Sequence, residues 1–156
     1  MTTKKVMVIY HSHSGNTEAC AKLVAQGIRE AGDVHVTTVN TDQAQRVDMR
    51  ELAACDGLAI GSPDYASYVA GTIKQLFEDL YIAKRDGITV AGKPCVLFVT
   101  HGGGGKAAEV MERLAGKYGG LTVLGDVFSC LRAPEEGCPE AIALGKKLGS
   151  HVLGQA

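Results

Sequence analysis

Residues 11–18, His11-Ser12-His13-Ser14-Gly15-Asn16-Thr17-Glu18, gather three hydroxyls, an amide and a single glycine into one short stretch. It follows an apolar run, Val6-Met7-Val8-Ile9-Tyr10, and precedes a helical pattern that runs from about Gly15 to Ala31-Gly32. A strand, a short hydroxyl-rich turn and a helix, in that order, make an anion site. The first N–H groups of the helix lack intrahelical partners, and the helix dipole adds about half a positive charge there. Ser12, Ser14 and Thr17 add hydroxyl donors and Asn16 an amide, while Gly15 lets the backbone come close. No lysine or arginine lies in the stretch. A phosphate monoester held by neutral donors and a dipole is the chemistry this composition suits. His11 and His13 would add attraction if protonated; His13 is expected to contribute backbone contact, and neither is assigned a chemical step.

Two other phosphate loops are excluded by spacing. A Walker loop needs a lysine directly before the final hydroxyl residue, where Asn16 stands, and a dinucleotide fingerprint needs three glycines in the turn, where only Gly15 occurs. Two further stretches are unusual. Gly61-Ser62-Pro63-Asp64-Tyr65-Ala66-Ser67-Tyr68-Val69-Ala70-Gly71 carries two tyrosines in a chain that is 5% aromatic. His101 is followed by four consecutive glycines, Gly102 to Gly105. Such a run loses much conformational entropy on folding, which fits a close backbone approach to a ligand.

The elements that must position these loops are legible from hydrophobic pattern. Lys4–Tyr10 reads as a strand apolar on both faces, as in a covered parallel sheet. Val34 to Val39 alternates and reads as a second strand nearer an edge, with His35 turned away from any chemistry. A short helix is expected from about Asp48, as its cap, to Ala54. Asp56 to Gly61 reads as a third strand that stops at Ser62-Pro63, and a helix follows from about Val69 to Ala83. Cys95 to Thr100, opened by Lys93-Pro94, is the fourth strand, and about Lys106 to Tyr118 the next helix. Leu121 to Phe128 reads as a single fifth strand. Ser129 to Gly137 reads as a polar loop on the same rim, and the last helix, opened by Glu135 to Pro139, runs to about Leu153. Strands alternating with helices give a parallel sheet covered on both faces.

The block Ser12-x-Ser14-Gly15-Asn16-Thr17-Glu18 after a first strand resembles the phosphate loop of the flavodoxins. Gly61-Ser62-Pro63-x-Tyr65, and then Lys74-x-Leu76-Phe77-x-Asp79, resemble that family's flavin-ring loop and the helix after it. The resemblance covers nearly the whole chain. It implies an α/β fold of the flavodoxin-like doubly wound kind, five parallel strands in the order 2-1-3-4-5, as one FMN-binding domain over residues 1–156. In that order ligands bind outside the carboxyl ends of the strands, at the switch point between the first and third strands. The implied FMN site comprises Ser12, His13, Ser14, Gly15, Asn16 and Thr17 for the phosphate. Ser62, Pro63, Asp64, Tyr65 and Tyr68 flank the ring, with Tyr68 the weaker candidate of the two tyrosines. Thr100, His101, Gly102, Gly103 and Gly104 lie beside its pyrimidine end. Stacking on a tyrosine contributes about 0.5–1.5 kcal/mol beyond area burial. His101 reads equally as a ring contact or proton donor and as a structural residue.

Two functions remain open under this resemblance. One is an electron carrier docking on a redox protein partner, favoured by the chain's 156 residues, which leave no obvious second domain. The other is an NAD(P)H-dependent FMN or quinone oxidoreductase. The family's peptide-flip glycine is absent between Asp64 and Val69, which puts one-electron tuning by that device in doubt and keeps the oxidoreductase open. A receiver domain would need an aspartate ending the third strand, where Gly61-Ser62 stands. The formal net charge of −1 gives no case for nucleic acid or membrane binding. No apolar run reaches the length of a membrane span, and no cleavage site follows Met1–Lys5, so a cytoplasmic monomer or small homo-oligomer is expected. Five cysteines at irregular spacing, Cys20, Cys55, Cys95, Cys130 and Cys138, argue against a disulfide framework and show no metal spacing. Whether Cys130 and Cys138 pair stays open at this point.

Overall fold

The structure, a computed structural model, describes residues 2–42 and 46–155. The elements run β1 (Lys4–Tyr10), α1 (Asn16–Ala31), β2 (Val34–Asn40), α2 (Met49–Ala53), β3 (Gly57–Pro63), α3 (Gly71–Ala83), β4 (Pro94–His101), α4 (Ala107–Lys117), β5 (Thr122–Val123), β6 (Phe128–Leu131) and α5 (Pro139–Val152). All strand pairs are parallel, and the order is β2-β1-β3-β4-β5, with β6 also paired to β4. The doubly wound order 2-1-3-4-5 is therefore observed. Asp48 caps α2 as its type and position foretell, accepting from the N–H groups of Arg50 and Glu51.

The period-2 geometry of a strand divides the central strands between two cores. Met7 and Ile9 of β1, Leu58 and Ile60 of β3, and Cys95, Leu97 and Val99 of β4 pack on one face, with Phe77 of α3 and Met111 of α4. Val6, Val8 and Tyr10, with Val96 and Phe98, pack on the other, with Val24 and Ile28 of α1 and Leu144 and Leu148 of α5. On that second face β3 offers only Gly57, Ala59 and Gly61. A Cβ at Gly61 would collide with the Phe98 ring, and one at Gly57 would sit 2.8 Å from Val152 Cγ1. The α1–α5 pair is closer still. A Cβ at Gly27 would meet the Ile142 carbonyl, and one at Gly145 the Val24 carbonyl. Small residues here let the two helices touch backbone to backbone, which ties the start of α5 to the helix that follows residues 11–15.

The fifth strand departs from expectation. The expected strand Leu121–Phe128 is two strands, β5 and β6, and the stretch expected as loop from Ser129 begins as β6. Between the pairs Cys95–Val123 and Phe98–Phe128 the register slips by two residues; the Leu124 N–H still donates to Cys95 O at 2.8 Å, and residues 125–127 leave the sheet. Gly125 has φ +72, which a strand does not use, and Asp126 is poorly suited to a sheet interior. An even slip keeps each side chain on its own face. The helix expected from Val69 begins at Gly71 instead, with Val69 and Ala70 buried before it.

Candidate functional site

Three loops meet at the carboxyl ends of β1, β3 and β4. The first is held from below. Ser12 N–H donates to Asn40 Oδ1 and the Asn40 amide returns a bond to Ser12 O, both at 3.0 Å. The buried Ser12 hydroxyl accepts the Gly15 N–H at 3.1 Å. Gly15, at φ +102, is the N-cap of α1 and has no side chain to close the first turn. A Cβ there would meet nothing within 4 Å. The first-turn N–H groups of α1 thus keep the open, positive character of an uncapped helix start. Thr17 is buried, and its Oγ1 lies 2.7 Å from Thr100 Oγ1, which bonds the first loop to the end of β4 across 83 residues of chain.

The second loop is a tight hairpin. Tyr65 and Tyr68 exchange backbone hydrogen bonds of 2.8 and 3.0 Å around Ala66 (φ +54) and Ser67 (φ +65). Two successive positive φ values make a type I′ turn, a conformation that Asn-Gly adopts readily and Ala-Ser does not. Asp64 holds it: its Oδ1 accepts the Ser67 N–H at 2.8 Å and its Oδ2 the Ala107 N–H at 3.0 Å. The Asp64 N–H donates to Thr100 O at 2.8 Å. The second and third loops are therefore fixed to each other. Tyr65 is 47% exposed and presents its ring to the cleft, edge-on to His11 at 5.7 Å between centroids.

His11 is half-buried. Its Nδ1 lies 2.8 Å from Thr72 Oγ1, which lies 2.7 Å from Thr41 Oγ1. Burial lowers the imidazole pKa; Asp42 opposes and His13 adds to that shift. His13 is exposed, 3.3 Å from Asp42 Oδ2. In the third loop the Nδ1 of His101 is buried with no hydrogen-bond partner. A Cβ at Gly102, Gly103 or Gly104 would meet nothing within 4 Å.

A cleft of about 130 Å³ joins these groups. Ser12, His13, Ser14, Asn16, Thr17, Pro63, Asp64, Tyr65, Thr100, His101 and Gly102 line it. Of the expected residues, Gly15 lies in the backbone turn beneath it. Ser62 is turned into the fold, donating to Pro63 O at 2.8 Å and accepting from the Ala70 N–H at 2.9 Å. Tyr68, bridged to Tyr65 through the backbone, and the exposed Gly103 and Gly104 lie outside the lining. Arg132 also lines the cleft and was missed. It sits in the stretch expected as a polar loop on the same rim, and its sequence signal is a cation at the end of an apolar run. In the motif expected after the ring loop, Asp79 is engaged by Arg46 at 2.6 and 2.9 Å, which ties α3 to the segment before α2, and Lys74 by Glu78 at 3.1 Å within α3. A second cleft of about 260 Å³, between Thr41, Arg46 and α3, contains none of the expected residues.

The cysteines are all free. Cys130 donates to Leu131 O and Cys138 to Glu140 Oε2, so the pair left open by the sequence is unbonded. No group of three or more histidines, cysteines or carboxylates among the described residues is placed to hold a metal. No helix among them is long and apolar enough to cross a membrane.

Residues 4–133 match the family model of NADPH-dependent FMN reductases. A flavodoxin of Aquifex aeolicus is 36% identical over 106 residues, 68% of this chain and 55% of that protein. A flavodoxin of Clostridium saccharobutylicum is 31% identical over 75 residues, 48% of this chain and 45% of its own length. The matched region thus spans about half of these curated relatives. A solved flavodoxin from the domain Archaea superposes with a TM-score of 0.79 at 24% identity, over 96% of this chain and 99% of the other. That likeness concerns the fold.

Proposed function

Given that the chain belongs to the NADPH-dependent FMN reductase family, whose model spans residues 4–133, we propose that it is a flavodoxin-like, FMN-binding electron-transfer protein. The observation that carries this is the start of α1. It is an uncapped helix N-terminus at the β1–β3 switch point, ringed by the side chains of Ser12, Ser14, Asn16 and Thr17, with a glycine in place of a closing cap. The residues present fit FMN on two further counts. His101 Nδ1 is a buried polar atom without a partner, which a ring heteroatom would satisfy. The glycine loop leaves open space where side chains would otherwise stand.

Bound FMN would supply the redox chemistry, and the chain binds and orients it. Ser14, Asn16, Thr17 and the N–H groups of the first turn would hold the phosphate. The cleft's 130 Å³ is below the ~300–1,000 Å³ of an enclosing ligand pocket, so the flat ring would lie at the open rim. There Tyr65, propped edge-on by His11, would cover one side, and the His101–Gly104 backbone would meet the polar edge. The exposed rim favours transfer to a docked redox protein partner.

A second reading, direct oxidation of NAD(P)H with a quinone or flavin as acceptor, is favoured by the family model itself. Anaerobic mixing of FMN-loaded protein with NADPH and then NADH, read by visible flavin absorbance, separates the two. No bleaching within minutes supports the carrier; rapid bleaching overturns it in favour of the reductase.

A further inference from the structure

We propose that Arg132 supplies the positive charge that the phosphate loop lacks, reaching across the cleft to a phosphate dianion held at the start of α1. The inference rests on the FMN reading and adds a residue that neither motif contains. Residues 11–18 bring hydroxyls, an amide and a dipole of about half a charge against a group of nearly two negative charges. The cleft also includes Asp64. Arg132 is the one lysine or arginine in its lining. Among the described residues it takes part in no ion pair, whereas Lys22, Arg46, Lys74 and Lys146 each have a carboxylate.

Its place is fixed by backbone rather than by chance exposure. The Arg132 N–H donates to His101 O at 2.6 Å, which pins the end of β6 to the end of β4. Its φ of +58 is a left-handed conformation that a side chain of this size rarely adopts. Such strain persists where surrounding structure over-determines it and clusters at ligand sites. The turn sends residues 133–138 back towards α5, and α5 lies backbone to backbone on α1. Thr100, whose hydroxyl lies 2.7 Å from that of Thr17 in the first turn of α1, pairs with Cys130, two residues before Arg132. The end of β6 is therefore next to the strand end that the first turn of α1 is bonded to, within reach of the cleft between them. A guanidinium rooted there presents paired donors that match two phosphate oxygens.

The test compares FMN with riboflavin, which lacks the phosphate, by fluorescence titration of the full chain and of Arg132→Gln. At low salt the variant should bind FMN about tenfold more weakly, the loss of one charge-assisted contact. The gap should shrink as salt rises, since the guanidinium is exposed. Riboflavin affinity should be unchanged. If riboflavin binds the unaltered chain too weakly to read, inorganic phosphate as competitor gives the same comparison, and the variant should lose sensitivity to it. Arg132→Asn, which tolerates left-handed backbone, serves should Gln fail to fold. Equal losses for both flavins, or no loss for FMN, overturn the assignment while leaving the cofactor reading intact. An unaltered chain that takes up no FMN overturns both.

Discussion

The Thr17–Thr100 contact makes the sharpest stability prediction because both residues are almost fully buried, at 2% and 3% exposure, and their hydroxyls stand 2.7 Å apart. Replacing either by valine keeps the shape and strands the other hydroxyl away from water. A buried polar group left without its partner costs about 1–3 kcal/mol. Removing both hydroxyls leaves nothing stranded, so the double variant should lose far less than the two single losses added together. The expected coupling is about 1–2 kcal/mol in magnitude. In a chain of this size each kcal/mol moves the melting temperature by about 2–4 °C. Thermal unfolding of the unaltered chain, Thr17→Val, Thr100→Val and the double variant, followed by circular dichroism, gives the cycle. Single losses that simply add would show that the two loops are not joined through this bond, and the account of how α1 is set against β4 would fall.

Other expectations follow from the same geometry. Burial holds the His11 pKa below its ordinary 6.5, so the unfolded chain takes up a proton there first and stability falls as pH drops below about 6.5. Melting temperatures across that range should slope upward with pH, less steeply in His11→Gln. Ser67→Gly, which relieves one left-handed residue of the tyrosine turn, should stabilise the chain by about 1 kcal/mol, read from a urea unfolding midpoint. Gly145→Ala drives a methyl into the Val24 carbonyl and should cost about 1–3 kcal/mol in the same assay.

Local pattern carried much of the fold. β1, α1 and the Asp48-capped α2 each announce themselves within a few residues, through a continuous apolar run, helical spacing before Gly32, and a capping carboxylate. The split of β5 from β6 had a signal, Gly125-Asp126, which the surrounding apolar residues masked. The site divides the same way. The proposed phosphate loop is contiguous, so its donors are visible together. The bonds that set it, Thr17 to Thr100 and His11 to Thr72, join residues 83 and 61 positions apart and exist only once the sheet forms. Ser62 looked like a ligand contact by neighbourhood, yet its hydroxyl closes its own loop. Arg132 was hidden because its left-handed turn is imposed by pairing to His101, not by its own residue type.

The measurement that bears most directly on the central claim is a calorimetric titration of the purified chain with FMN, beside the Ser14→Ala/Thr17→Ala double variant. One FMN per chain is expected, with a large loss of affinity in the variant, which still folds. No binding by the unaltered chain, or equal affinity in the two, would contradict it.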